Sequence, residues 1–144
     1  MNLKLHTDYG LRVLIFLARA DRRATLEEMA TQYDISREHL TKVSQSLVRG
    51  GWIQATRGRG GGVSLAVPAA EIDVADVIGQ LEERGHPLAC VDDELACVLE
   101  PGCRLRVKIM QAEDAFYDSL RGTSIADLVR RPAPHHGLAS LPNH

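Results

Sequence analysis

Three cysteines, Cys90, Cys97 and Cys103, stand within fourteen residues of one another in a chain of 144, and there are no others. Their spacing is C-x6-C-x5-C, in a stretch that also carries Pro87, Pro101 and Gly102. An odd count argues against a disulfide framework. Thiols serving only as core filler would be scattered through helices. Thiolates are soft ligands suited to zinc or to iron–sulfur clusters. Zinc sites ordinarily use a close C-x2-C pair, which is absent here. Wide gaps suit a larger object whose corners are reached by separate thiolates. Three sulfurs leave one corner for water, a small molecule, or an oxygen or nitrogen ligand from elsewhere, and such a corner is open to attack. That suits a sensor better than a structural staple. No serine or cysteine nucleophile stands visibly beside a base, so the chain does not read as an enzyme.

A second set of side chains has a different chemistry. From Ser36 to Gly62 the charged residues are Arg37, Lys42, Arg49, Arg57 and Arg59 against Glu38, a net +4, whereas Glu71 to Cys103 nets −8. A basic block followed by an acidic one suggests a nucleic-acid face and a separate regulatory or assembly face. Aromatics make up only 4% of the residues, too few for a base-stacking platform on single strands.

The elements that must carry these groups follow from periodicity and caps. Thr7 or Asp8 reads as the cap of a first helix running to about Ala20, with Leu11, Leu14, Ile15 and Ala18 on its buried face. Thr25-Leu26-Glu27-Glu28 has the form of a capping box opening a short helix that ends near Tyr33-Asp34. Ser36 caps a third helix, with Leu40, Val43, Leu47 and Val48 facing inward and a stop at Gly50-Gly51. The β-prone runs 52–57 and 63–67 flank a glycine turn and read as a hairpin. Three helices and a hairpin are the plan of a winged helix-turn-helix domain.

In that plan the third helix enters the major groove. Arg37, Glu38, Thr41, Lys42 and Gln45 then point outward, while His39 is expected against the core. Thr25 and Ser36, at the starts of the paired helices, complete this side of the face. In the wing, Arg57 and Arg59 supply charge, and Gly60 and Gly61 allow close approach to phosphate. A nucleotide-binding reading of the glycines fails, because such a loop should run from strand directly into helix.

Beyond Pro68, Asp73 caps a fourth helix to about Arg84, with Val74, Val77, Ile78 and Leu81 on one face. Residues 85–102 read as a functional loop. A long helix from about Cys103 to Leu120 has apolar residues (Leu105, Val107, Ile109, Met110, Ala112, Ala115, Phe116 and Leu120) on more than one face. It therefore needs cover from its own domain and from a second subunit. The expected class is mainly α with a small β-hairpin: a winged helix-turn-helix domain at 1–68, a cluster-binding loop and dimerisation helices at 69–130, and a flexible tail at 131–144. No apolar run approaches bilayer length, and Met1 to His6 is too mixed for a signal peptide. A cytoplasmic protein is expected.

Several of these segments together resemble the IscR/NsrR family of bacterial winged-helix regulators. The matching pieces are Thr7-Asp8-Tyr9-Gly10-Leu11-Arg12, Ile35-Ser36, Arg57-Gly58-Arg59-Gly60-Gly61-Gly62, the spaced cysteines before a long helix, and Ser124-Ile125-Ala126-Asp127-Leu128-Val129. The likeness covers about residues 1–130 and is greatest to the nitric-oxide-responsive, NsrR-type branch. It implies a homodimeric repressor of a double-stranded DNA operator, joined along the long helix, with one 4Fe–4S cluster per subunit and DNA release when nitric oxide attacks the cluster. It also implies that Asp8 is the fourth ligand, reaching the cluster of the other subunit. The histidine that IscR-like relatives carry shortly after the third cysteine is missing, since Cys103 is followed by Arg104-Leu105-Arg106-Val107. His86 is a possible substitute ligand. Two rival readings keep the scaffold: a sensor of iron supply or redox state, and a zinc-stabilised DNA-binding module.

Overall fold

A computed structural model describes residues 3–83 and 103–130. Its helices are α1 (Leu5–Ala20), α2 (Leu26–Tyr33), α3 (Arg37–Arg49), α4 (Val74–Leu81), α5 (Arg104–Leu120) and α6 (Ile125–Val129). Strands β1 (Ile53–Thr56) and β2 (Gly62–Leu65) form an antiparallel hairpin, pairing Ile53 with Leu65 and Thr56 with Gly62. A 3-10 turn at Ala69–Glu71, unforeseen in the sequence, leads into α4.

The local signals for α2, α3 and α4 are met. The Thr25 hydroxyl accepts the Glu28 N–H (3.1 Å), the Ser36 hydroxyl accepts the His39 N–H (3.3 Å), and the Asp73 carboxylate accepts the Ala75 N–H (2.8 Å). The Glu28 carboxylate is engaged mainly by Arg22, which holds it below the usual carboxylate range, rather than by the Thr25 backbone. Asp34 ends α2 in the left-handed conformation (φ 53°), which aspartate tolerates better than most residues.

Sequence expectations are corrected in three helices. Helix α1 starts at Leu5 with Lys4 at its N-cap position, so neither Thr7 nor Asp8 caps it. Its buried residues are Thr7, Gly10, Val13, Leu14, Phe16 and Leu17, with Leu11, Ile15 and Ala18 only half-buried. The buried arc is wide because α3, α4 and α6 all pack on this helix. In α3 the inward stripe is Leu40, Val43, Ser44 and Leu47, while His39 and Val48 are exposed. Both lie about a quarter turn off that stripe, on opposite sides. Helix α4 ends at Leu81, and Glu83 takes a left-handed conformation (φ 57°) where the helix was expected to continue to Arg84.

The far end of the molecule is tied back by Asp73. Its second carboxylate oxygen accepts the Gly122 N–H (2.7 Å), fixing the end of α5 to the start of α4. The Ile125 N–H donates to the Ile72 carbonyl (2.9 Å), and Ile125 is fully buried. Helix α5 behaves otherwise: only Tyr117 is buried, while Leu105 and Val107 are 59% and 53% exposed. Residues 85–102 and the tail 131–144, including Cys90 and Cys97, lie outside the described residues.

At Gly10 the α1 backbone is approached closely by Leu81 of α4. A Cβ there would lie 2.4 Å from Leu81 Cδ1 and 3.8 Å from Leu47 Cδ2. Gly10→Ala is therefore expected to cost about 1–2 kcal/mol through overpacking. Leu81→Ala should cost about 2–5 kcal/mol alone but less in the Gly10→Ala background. Urea unfolding of the four proteins checks this; strictly additive costs contradict the contact.

Candidate nucleic-acid interface and cluster ligands

The side chains expected to read DNA share one surface. Ser36, Arg37, Glu38, Thr41, Lys42 and Gln45 are all exposed on the N-terminal two-thirds of α3. Leu40, Val43 and Leu47 anchor the opposite side of the helix in the core. The Thr41 hydroxyl donates back to the Arg37 carbonyl (2.8 Å). Lys42 donates to Glu38 (2.9 Å), and that bond holds the Glu38 carboxyl below its ordinary value. Arg37 approaches Glu27 at 3.9 Å, so α2 and α3 share a loose ion pair at the surface. Thr25 is exposed, its hydroxyl occupied as the α2 cap.

The wing stands apart from the core. Arg57 and Arg59 are exposed, and neither has an ion-pair partner among the described residues. Gly60 is also exposed and has a positive φ (74°), while Gly61 is half-buried. At Gly62 a Cβ would lie 2.4 Å from the Ala24 carbonyl oxygen, so only glycine allows that approach. The approach has a purpose. Ala24 and Val63 exchange N–H···O bonds of 2.9 and 2.8 Å, making Ala24 a third edge to the hairpin. Arg23, not singled out in the sequence, donates to the Gly60 carbonyl (3.3 Å) and braces the wing from the α1–α2 turn. Local pattern offers no signal for that contact across 37 residues.

Of the candidate cluster ligands, Cys103 and Asp8 are described. Cys103 occupies the N-cap position of α5, is half-buried, and its side chain makes no capping bond. Asp8 sits in the first turn of α1, its side chain 43% exposed, with Oδ2 accepting from Arg12 Nε (2.9 Å). A capping aspartate would have a backbone N–H on its carboxylate; this one instead faces outward beside an arginine. Among the described residues no group of three His, Cys, Asp or Glu side chains is placed to hold a metal ion. The donor set nevertheless fits a cluster: a thiol and a carboxylate that the fold does not use as caps, with two further thiols in the adjoining segment.

A family model described as an iron-dependent transcriptional regulator, Rrf2, matches residues 3–131. The chain belongs to the Rrf2 family. It is 43% identical over 133 residues to the HTH-type transcriptional regulator NsrR of Oceanobacillus iheyensis, covering 90% of each chain. Among solved structures it is similar to oxidised Staphylococcus aureus CymR, with TM-score 0.73 and 26% identity, over 93% of this chain and 100% of that one. It shares its fold with T. potens IscR at TM-score 0.70 and 19% identity, over 90% of this chain and 87% of that one. This Rrf2 protein is thus a mainly helical, winged transcriptional regulator and not an enzyme. Among its described residues no helix is long and apolar enough to cross a membrane.

The exposed wing arginines, without an ion pair among the described residues, set a measurable expectation. Arg57→Ala and Arg59→Ala should each flatten the dependence of log K on log salt by about 0.9 if each neutralises one phosphate. Glu38→Gln, which frees Lys42, should strengthen binding to unrelated duplex DNA. Filter binding across salt concentrations checks both; unchanged slopes in the arginine variants remove the wing from the interface.

Proposed function

We propose that this Rrf2 protein is a cytoplasmic, homodimeric repressor that binds a double-stranded operator and releases it in response to nitric oxide. The observation carrying the reading is the 43% identity to an NsrR across 90% of both chains, in a sequence that retains three spaced cysteines before α5. The proposed division is a DNA-binding unit at 1–68, a ligand and dimerisation unit at 69–130, and a tail at 131–144.

Cys90, Cys97 and Cys103 would hold a 4Fe–4S cluster, with Asp8 of the opposite protomer as fourth ligand. When bound, such a cluster supplies irons that take up nitric oxide. Asp8, a hard carboxylate beside three soft thiolates, would be the weakest of the four donors. Asp8 and the thiols of the partner subunit together tie α1 of one protomer to the cysteine segment of the other. Exposed Leu105 and Val107 on α5 gain cover in the same assembly. Because α1 packs on α3, the tether fixes the separation of two recognition helices, which must match half-sites about one helical turn apart. Arg37, Thr41, Lys42 and Gln45 then face base edges and phosphates, with Arg57, Arg59, Gly60 and Gly61 on the flanking backbone. Losing the tether needs to cost only about 2.7 kcal/mol of coupling to lower DNA affinity a hundredfold.

Anaerobic purification followed by iron analysis tests this. The wild-type chain should carry about four irons. Cys97→Ala should lose most of the iron and all response of its DNA binding to nitric oxide, and Asp8→Ala should lose iron faster to a chelator. A Cys97→Ala protein with normal iron and normal response, or a wild type that carries zinc alone, overturns the assignment.

A further inference from the structure

Helix α1 lacks a cap of its own, because Lys4 at the N-cap position has no side-chain oxygen to offer. The missing acceptor comes from the other end of the fold. Glu82, at the C-cap position of α4, accepts the Lys4 backbone N–H on Oε1 (2.9 Å), and the Thr7 hydroxyl donates to the same oxygen. The Lys4 ammonium donates to the Glu82 carbonyl (2.9 Å) and lies 3.7 Å from a Glu83 carboxylate oxygen. Thr7 is fully buried, so its hydroxyl depends on this partner. A carboxylate at a helix N-terminus is also favoured by the helix dipole.

The position of this clasp matters more than its strength. Glu83 turns the chain out of α4 with a left-handed backbone, immediately before the segment that carries Cys90 and Cys97. On the α1 side, Thr7 is followed directly by Asp8. The neighbouring His6 hydrogen-bonds Ser46 of α3 (Nε2···Oγ, 3.0 Å). Gly10, a turn further on, lets α1 lie against both Leu81 of α4 and Leu47 of α3.

We propose that Glu82 is a positioning residue for DNA binding: it caps α1 across the fold and couples the root of the cysteine segment to the recognition helix. The coupling rests on the reading of that segment as the effector site; the cap itself does not. Rigid elements with shared, specific contacts transmit a displacement at one end as a displacement at the other. When Glu82 moves with the root of the cysteine segment, the first turn of α1 loses its cap, and with it the His6–Ser46 hold on α3.

The test compares full-length wild type with Thr7→Val, Glu82→Ala and Glu82→Gln. Thr7→Val keeps the buried shape and removes the donor; Glu82→Gln keeps the accepting oxygen. Operator affinity is measured with and without bound iron, alongside amide hydrogen exchange of the iron-free chains. Wild-type affinity should change by about tenfold or more between the two states. Thr7→Val and Glu82→Ala should reduce that ratio to within about twofold while iron content stays normal. Glu82→Gln should restore most of it. In the iron-free chains, exchange at Lys4 and along the first turn of α1 should quicken in the two disruptive variants and not in Glu82→Gln. A responsive wild type whose disruptive variants respond equally overturns the coupling. A wild type indifferent to iron overturns the effector reading instead, and the cap then stands or falls on exchange alone: unchanged exchange in Glu82→Ala overturns it.

Discussion

Helix α1 touches the recognition helix on one side and the end of α4 on the other, and both contacts converge on Gly10. With no Cβ there, Leu81 and Leu47 reach the α1 backbone from two directions. The arrangement places Asp8, Thr7 and His6 on the turn just before the crossing, each facing a different neighbour. Thr7 reaches Glu82 and His6 reaches Ser46, while the Asp8 side chain remains half-exposed beside Arg12. Everything on the DNA-facing side inherits its position from this junction, since α3 is held by α1 and the hairpin follows α3 directly. The wing has a further brace in Ala24 and Arg23, which belong to the turn where α1 ends.

Charge follows the same division. The exposed side chains of α3 and the wing carry four arginines and a lysine, and three of the arginines (Arg49, Arg57 and Arg59) have no ion pair among the described residues. Surface ion pairs contribute little to stability, so the lack of an ion pair for Arg57 and Arg59 among the described residues costs the fold little. The acidic run follows in sequence, from Glu71 to Cys103. Its described members include groups with structural work: Asp73 caps α4 and holds the end of α5, and Glu82 caps α1. The exposed apolar residues of α5 are what remains to be covered, and a second copy of the chain is the cover proposed for them.

Local chemistry made much of this fold legible in advance. Thr25, Ser36 and Asp73 cap helices because each bond closes within three residues, a distance that sequence spacing reports directly. The hairpin was readable because glycines separate two β-prone runs. The start of α1 was not, because its cap is 78 residues away in sequence and no local pattern contains it. The same holds for Arg23 bracing Gly60. His39 and Val48 were misplaced for a subtler reason: each borders the buried stripe of α3, where a small rotation decides exposure. For the candidate site, residue types point to three thiols as soft donors and to a basic face, which is as far as the sequence goes. The outward setting of Asp8 came only from the fold, since a helix-start aspartate looks the same in sequence whether it caps or not.

The most direct test of the sensing account is an anaerobic nitric-oxide titration of the purified chain in the presence of operator DNA, following visible absorption and DNA retention together. The account predicts a brown protein whose broad absorption bleaches in proportion to added nitric oxide, with operator release over the same additions. A colourless protein, or one that bleaches fully while its hold on the operator is unchanged, contradicts it.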